Sequence, residues 1–94
     1  MDSLIETHRH QILELAMQRG AQRIRVFGSM ARGQAQATSD VDFLVEMQSG
    51  KSAFALGGLL MDLQDLLGRR VDVVTPNALH PAIREEVLKE AIDL

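Results

Sequence analysis

Three aspartates stand among valines and phenylalanine in segments whose apolar residues alternate like those of β-strands. Asp40 and Asp42 begin the segment DVDFLVEM, residues 40–47, and Asp72 lies within RRVDVVTP, residues 69–76. Aspartate is depleted from strands because its side chain competes for the backbone and resists burial. Successive side chains of a strand point to opposite faces, so Asp40 and Asp42 are predicted to project from one face. A sheet built from these segments is expected to expose that carboxylate-bearing face.

The rest of the chain supplies helices that can cover the other face of such a sheet. Apolar spacing predicts helices over residues 3–18, 54–67 and 81–94, a further strand over residues 23–28, and one helical turn starting at Ser29. The order strand, helix, strand after residue 40 indicates a crossover connection between parallel strands. We therefore predict an α+β fold of two layers, a small mixed β-sheet with helices packed on one face.

Length and composition limit the class of protein. A chain of 94 residues suffices for one small domain, so residues 1–94 are predicted to form a single domain, and 46% apolar residues favour a globular fold. The net charge of −3 argues against direct binding of nucleic acid, which requires a basic face. There is no cysteine for a disulfide or a thiolate metal site. Neither a leader-like start nor a membrane-spanning apolar run is present, so we expect a cytoplasmic protein.

The three aspartates predict a metal site if their strands are neighbours. Carboxylates brought that close repel one another unless a cation lies among them. Mg²⁺ prefers carboxylate oxygens and keeps coordination positions open for water and substrate phosphates. Taken alone, SDVD is as typical of a polar turn that enters an edge strand as of a metal site, and VDVV is more typical of an exposed aspartate on an edge strand. Their occurrence together with a Gly-Ser turn favours a metal site formed by Asp40, Asp42 and Asp72.

The turn before the aspartates raises the question of a phosphate-binding loop. Gly28 and Gly33 have the GxxxxG spacing of a P-loop, but Gln34 and Ala35 stand where that loop requires Lys and Ser or Thr. A P-loop is therefore excluded. Gly28 permits a close approach of a ligand to the backbone, and Ser29 at the start of a helical turn favours an anion such as a triphosphate. The alternative is an ordinary tight turn with a helix-capping serine.

A long motif links the turn and the aspartates to a known family. The segment GSMARGQAQATSDVDFLV, residues 28–45, resembles the signature GSxARGxxxxxSDxDxxV of the minimal nucleotidyltransferase (MNT) domains in the DNA polymerase beta-like superfamily, with every fixed position present. The segment RVDVVTP, residues 70–76, is similar to the one that carries the family's third acidic residue. The resemblance implies attack of an acceptor on the α-phosphate of a nucleoside triphosphate, with release of pyrophosphate.

The resemblance also implies a role for each site residue. Gly28 and Ser29 would hold the β- and γ-phosphates. Asp40 and Asp42 would ligate two Mg²⁺ ions, for which Mn²⁺ is an alternative. Asp72 would share one ion and assist deprotonation of the attacking hydroxyl.

Arg32 and Ser39 also match fixed positions of the motif, which assigns them to the nucleotide site without defining their roles as closely. Arg32 has two alternative roles, either neutralising phosphate charge or bracing the loop against an acid. Ser39 is assigned to nucleotide binding by its place in the motif alone. His80, outside the motif, is expected to be structural, with a nucleotide contact as the alternative.

The resemblance finally implies a partner. Small MNT proteins are commonly encoded beside a HEPN-domain protein, usually a ribonuclease toxin, and act as antitoxins by transferring AMP from ATP to a tyrosine of that partner. This chain has no tyrosine, so a tyrosyl acceptor must lie in another protein, and a hetero-oligomer is expected. The alternatives are an antitoxin that acts by complex formation alone and nucleotidyl transfer to another acceptor. ATP is implied by the resemblance, because no motif for reading the base is evident.

Overall fold

A computed structural model, which describes residues 1–94, places four helices around a four-stranded mixed sheet. In chain order the elements are α1 (Ser3–Gln18), β1 (Ala21–Phe27), α2 (Ser29–Arg32), β2 (Val41–Met47), α3 (Ala53–Leu67), β3 (Val71–Val74), a 3-10 turn (Pro76–Ala78), α4 (Pro81–Glu90) and β4 (Ile92–Asp93). No helix is both long and apolar enough to cross a membrane.

The sheet has the strand order β3-β2-β1-β4. β1 is antiparallel to both β2 and β4, whereas β2 and β3 are parallel and joined through α3. The predicted α+β fold with a mixed sheet and a crossover between parallel strands is thus confirmed. In the register of β2 and β3, Asp42 stands opposite Asp72, so the two strands that carry the aspartates are indeed neighbours.

The main core lies on the sheet face covered by α1 and α3, as expected. Side chains from β2 alternate, and Val41, Phe43 and Val45 are fully buried on this face. They pack against apolar residues of the two helices, among them Ile5, Ile12, Leu59 and Leu63. Each such buried side chain stabilises the fold by about 1.5–3 kcal/mol. The alternation that fills the core therefore directs Asp42 to the opposite face.

The opposite face is not bare, contrary to the expectation from the sequence. Leu44, which shares this face with Asp42, is fully buried together with Leu79 and Val87. Val87 belongs to α4, so the last helix covers part of the face that carries the carboxylates. The covering is small, because this second cluster contains three buried residues against fifteen in the main core.

The C-terminal segment differs from the predicted helix over residues 81–94. The helix ends at Glu90, Ala91 adopts an extended conformation, and Ile92–Asp93 pair with β1 as a fourth strand. The outer edge of β1 offers unpaired backbone groups, and pairing them overrides the local helical pattern. Arg23 on β1 adds a two-pronged hydrogen bond to Asp93, at 2.7 and 2.9 Å.

Candidate active site

The three predicted metal-binding aspartates lie at one end of the β2–β3 pair. Asp42 and Asp72 are register partners on adjacent parallel strands, and Asp40 directly precedes β2. Asp42 is partly buried, whereas Asp40 and Asp72 are exposed. No side-chain hydrogen bond or ion pair engages any of the three, in contrast to Asp62 and Asp93, which are each held by an arginine. The structure therefore places the three aspartates at one end of the strand pair, with their carboxylate oxygens free of hydrogen bonds from other side chains.

The electrostatics of the site are dominated by this cluster. Burial raises the pKa of the Asp42 carboxyl above its ordinary value, and the neighbouring carboxylates of Asp72 and Asp40 raise it further. Arg32 acts in the opposite direction without reversing the shift. The folded protein thus disfavours the charge on Asp42, and a bound cation is the natural means of relieving that penalty.

The donor set suits a hard divalent ion, although the coordination sphere is not formed in advance. All available donors are carboxylate oxygens, which are the ligands preferred by Mg²⁺. No three side chains of Asp, Glu, His or Cys already stand close enough to hold one ion between them. A shared ion therefore requires the carboxylates of Asp40, Asp42 and Asp72 to turn towards one another.

The glycine turn predicted from the motif lies directly beside Asp42. Gly28 has φ of 72° and ψ of −154°, a conformation that side chains with a Cβ rarely adopt. A Cβ at Gly28 would stand 2.5 Å from Oδ2 of Asp42. Glycine is required here both by the backbone angle and by this close approach. The helical turn that follows, Ser29–Arg32, matches the prediction and ends at Gly33 in the left-handed conformation.

Glu90 joins this turn from the far end of the chain, and the sequence did not indicate it. The Gly28 N–H donates to Oε2 of Glu90 at 2.9 Å, and Arg32 forms an ion pair with Oε1 of the same carboxylate. Burial alone would raise the pKa of Glu90, but the Gly28 N–H and the Arg32 guanidinium outweigh it and hold the pKa below its ordinary value. Of the two roles considered for Arg32, the structure contains the contact with an acid.

The remaining predicted residues have local structural contacts. The Ser39 hydroxyl accepts a hydrogen bond from the Gln36 N–H at 2.8 Å and holds the connector between α2 and β2. Ser29 begins α2 and is partly buried. His80 caps α4, where its Nδ1 accepts from the Ala82 N–H at 3.0 Å. The assignment of Ser29 and Ser39 to nucleotide binding stays a prediction.

Comparison with known protein families identifies the class of the chain. The nucleotidyltransferase domain family matches residues 9–94, a range that includes the aspartates, the glycine turn and Glu90. The chain belongs to this nucleotidyltransferase family. The resemblance inferred from the motif is thereby confirmed, and the chain is placed among enzymes.

Curated relatives match over nearly the whole chain. MJ0435 of Methanocaldococcus jannaschii, which bears the name of a protein adenylyltransferase, is 40% identical over 86 residues, covering 92% of this chain and 92% of that protein. Protein adenylyltransferase MntA of Thermococcus cleftensis is 36% identical over 92 residues, covering 98% of this chain and 90% of that protein.

Solved structures share the fold. A structure described as a minimal nucleotidyltransferase superposes with a TM-score of 0.88 at 44% identity, covering 100% of this chain and 97% of that one. A toxin–antitoxin complex with AMP-PNP matches with a TM-score of 0.75 at 23% identity, covering 89% and 69%. The complex of a tri-AMPylated Shewanella oneidensis HEPN toxin with its MNT antitoxin matches with a TM-score of 0.70 at 20% identity, covering 94% and 69%. The last two likenesses establish the common fold.

Proposed function

We propose that the chain is a protein adenylyltransferase that transfers AMP from ATP to a HEPN-domain toxin and thereby neutralises it. The observation that carries the proposal is the pairing of Asp42 with Asp72 beside the Gly28 turn, with both carboxylates unengaged. The names of the two curated relatives support protein adenylylation, because both alignments cover more than nine-tenths of this chain. The fold shared with two toxin–antitoxin complexes, one of which contains an MNT antitoxin with its HEPN toxin, supports the role of antitoxin.

The aspartates are the proposed ligands of two Mg²⁺ ions, for which Mn²⁺ is an alternative. When bound, such ions neutralise the phosphates and stabilise the charge that develops during displacement at the α-phosphate. Asp42 provides a carboxylate oxygen beside the glycine turn, and Asp40 directly precedes the same strand. Asp72 is exposed on β3, an edge strand, and is the residue proposed to accept the proton of the attacking hydroxyl. This exposure suits an acceptor that is itself a folded protein.

The triphosphate is proposed to lie along the segment from Gly28 to Arg32. The N–H of Gly28 is engaged by Glu90, so direct phosphate contacts from this segment fall to Ser29 and to the remaining donors of Arg32. Gly28 contributes by its missing side chain, which leaves room beside Asp42. Ser39 contributes by holding the connector that leads into Asp40.

The proposed acceptor is a tyrosine hydroxyl of the toxin. The chain contains no tyrosine, so label transferred to a tyrosine can only appear on another protein. This property makes the acceptor easy to recognise, because any tyrosine that carries AMP in the reaction mixture must belong to the partner.

The test is transfer of label from α-labelled ATP to a co-purified HEPN partner in the presence of Mg²⁺. We expect labelled partner with the wild-type chain and none with Asp42→Asn. Asp65→Asn, which removes the same charge from an exposed position on α3, is the matched control and is expected to retain transfer. An absence of transfer with both Mg²⁺ and Mn²⁺ contradicts the proposal. If an Asp40→Asn/Asp42→Asn variant still protects cells from the toxin, neutralisation occurs through complex formation instead.

A further inference from the structure

One carboxylate ties both ends of α2 to the C-terminal helix. Oε2 of Glu90 accepts from the Gly28 N–H, which precedes α2, and Oε1 pairs with Arg32, which ends it. Glu90 is 25% exposed in its side chain and Arg32 is 48% exposed, so the bridge lies at the rim of the site. The two partners of Glu90 are 62 and 58 residues away in sequence, so the bridge depends on the tertiary fold.

The carboxylate has a fixed position because the chain is anchored on both sides of it. One turn earlier, Val87 is buried against Leu44 of β2. Two residues later, Ile92 pairs with Val26 of β1 as β4 begins. Glu90 therefore stands at the junction of α4 and β4, attached to two strands of the sheet.

The glycine turn is held between two acidic side chains. Asp42 approaches the Cα of Gly28 so closely that a Cβ there would stand 2.5 Å from its Oδ2. Glu90 holds the N–H of the same glycine at 2.9 Å. Asp42 on one side and Glu90 on the other thus fix the position of the turn, in which Gly28 keeps its positive φ.

The bridge leaves Arg32 able to bind a further anion. Its Nε donates to Oε1 of Gln34 at 3.1 Å and its Nη1 pairs with Glu90. A guanidinium has five N–H donors in a rigid plane, so two such contacts fix the plane and leave other donors free. The fixed plane is the property that a bidentate phosphate contact requires.

We propose that Glu90 is a positioning residue for the nucleotide, which holds the segment from Gly28 to Arg32 so that Ser29 and Arg32 face the triphosphate beside Asp42. This inference rests on the proposed nucleotidyl transfer and adds to it a residue outside the motif. Glu90 acts through Arg32 and the turn, and it makes no contact with the reacting atoms.

The experiment compares Glu90→Gln with Glu86→Gln, a matched control on the same helix that removes an equal charge from an exposed position. Binding of MgATP and of AMP to each purified chain is measured by titration calorimetry, and kcat and KM for ATP are measured with the HEPN partner. We expect Glu90→Gln to bind MgATP about tenfold more weakly, which is the scale of one charge-assisted contact, with the loss mainly in KM. AMP lacks the β- and γ-phosphates, so its affinity should stay within about twofold of the control.

Two outcomes overturn the inference. Equal weakening of MgATP and AMP would show that Glu90 merely supports the fold, and an accompanying fall in Tm beyond that of the control would confirm this. Tighter binding of MgATP by Glu90→Gln would show that the carboxylate competes with phosphate for the same donors.

Glu90→Ala, which also removes the acceptor for the Gly28 N–H, should lower the ratio of MgATP to AMP affinity at least as far. Binding of MgATP without label transfer by the wild-type chain contradicts the proposed function and leaves the binding comparison decisive for Glu90.

Discussion

Replacing Asp42 with asparagine should stabilise the metal-free protein while abolishing the proposed transfer. Asparagine has nearly the same shape as aspartate but carries no charge. Asp42 accepts no side-chain hydrogen bond in the structure, so the substitution removes repulsion without breaking a contact. The repulsion comes from Asp72, its register partner on β3, and from Asp40, which directly precedes β2.

The size of the gain follows from the spacing of the strands. Neighbouring strands lie about 4.8 Å apart, so side chains of register partners are separated by about 5 Å. Two unit charges at that distance repel by about 0.8 kcal/mol in water and by about 3 kcal/mol at an effective dielectric constant of 20. Asp42 is partly buried but Asp72 is exposed, so a value near the lower limit applies, about 1 kcal/mol. For a domain of this size, about 1 kcal/mol raises Tm by about 4–8 °C.

The gain should depend on pH in a definite direction. Because the folded-state pKa of Asp42 is raised, ionisation of this carboxyl costs more in the folded than in the unfolded chain. The contribution of Asp42 to the free energy of unfolding therefore falls as the pH rises through the ordinary carboxyl range and then through the raised pKa of Asp42, and the difference between wild type and Asp42→Asn isolates this contribution. The advantage of Asp42→Asn should be complete at neutral pH and absent in acid below the ordinary carboxyl pKa.

The assay is thermal unfolding followed by circular dichroism in EDTA at neutral pH, with Asp65→Asn as the control of equal charge. Adding Mg²⁺ should raise the Tm of the wild-type chain and narrow its difference from Asp42→Asn, because only the wild type keeps the full set of carboxylates. If Asp42→Asn unfolds at or below the Tm of Asp65→Asn in EDTA, the three carboxylates do not repel one another and the reasoning is wrong.

Two further predictions follow from the turn and from the paired carboxylates. Gly28→Ala should lower the free energy of unfolding by about 1–3 kcal/mol and abolish transfer, because the Cβ meets a carboxylate oxygen at 2.5 Å and φ is positive. Gly57→Ala within α3, where nothing lies within 4 Å of the added Cβ, should instead raise the free energy of unfolding by about 0.5–1 kcal/mol. Chemical denaturation measures the free energy of unfolding of both variants. If Gly28→Ala is as stable as the wild type, the turn geometry is wrong. The hydrogen bond from Arg19 lowers the pKa of Asp62. The pKa of Glu90 is also lowered, because its contacts with the Gly28 N–H and Arg32 outweigh the effect of burial. Their stabilising contributions are complete above the ordinary carboxyl pKa and are lost as the pH falls below it. In Asp42→Asn, which lacks the opposing contribution of Asp42, the urea midpoint should therefore decline from about pH 4 downward, and an unchanged midpoint at pH 3 would refute this.

The parts of the fold that could be predicted from sequence are those set by local patterns. The apolar alternation in DVDFLVEM and RRVDVVTP predicted β2 and β3, and the helix between them indicated a crossover between parallel strands, which the structure contains. The sequence predicted one site for the three aspartates on the condition that their strands are neighbours, and the register that places Asp42 opposite Asp72 fulfils that condition. The glycine turn was found because positive φ and close approach both demand a residue without a side chain.

The parts that escaped prediction depend on contacts between distant segments. β4 contains two residues, too few for any periodicity, and the preceding helical pattern runs smoothly into them. Only the unpaired edge of β1 decides that Ile92 and Asp93 leave the helix. Glu90 looks like one of several solvated acids on α4, and its partner Gly28 lies 62 residues earlier. The second apolar cluster around Leu44 was missed for the same reason.

The alternating side chains of β2 also bear on how a site of this kind can change over evolution. Odd-numbered residues from Val41 to Val45 fill the core, while Asp42 and Leu44 between them serve the site and its supporting helix. A single inserted or deleted residue within this strand would turn the core-facing side chains to the site and the site-facing side chains to the core. The length of the strand is therefore constrained by the core and by the site together. Length variation can accumulate in the connector after Gly33, and sequence variation on the exposed surfaces of the helices. Divergence in substrate or partner is therefore expected at those places, while the strand itself stays constant in length.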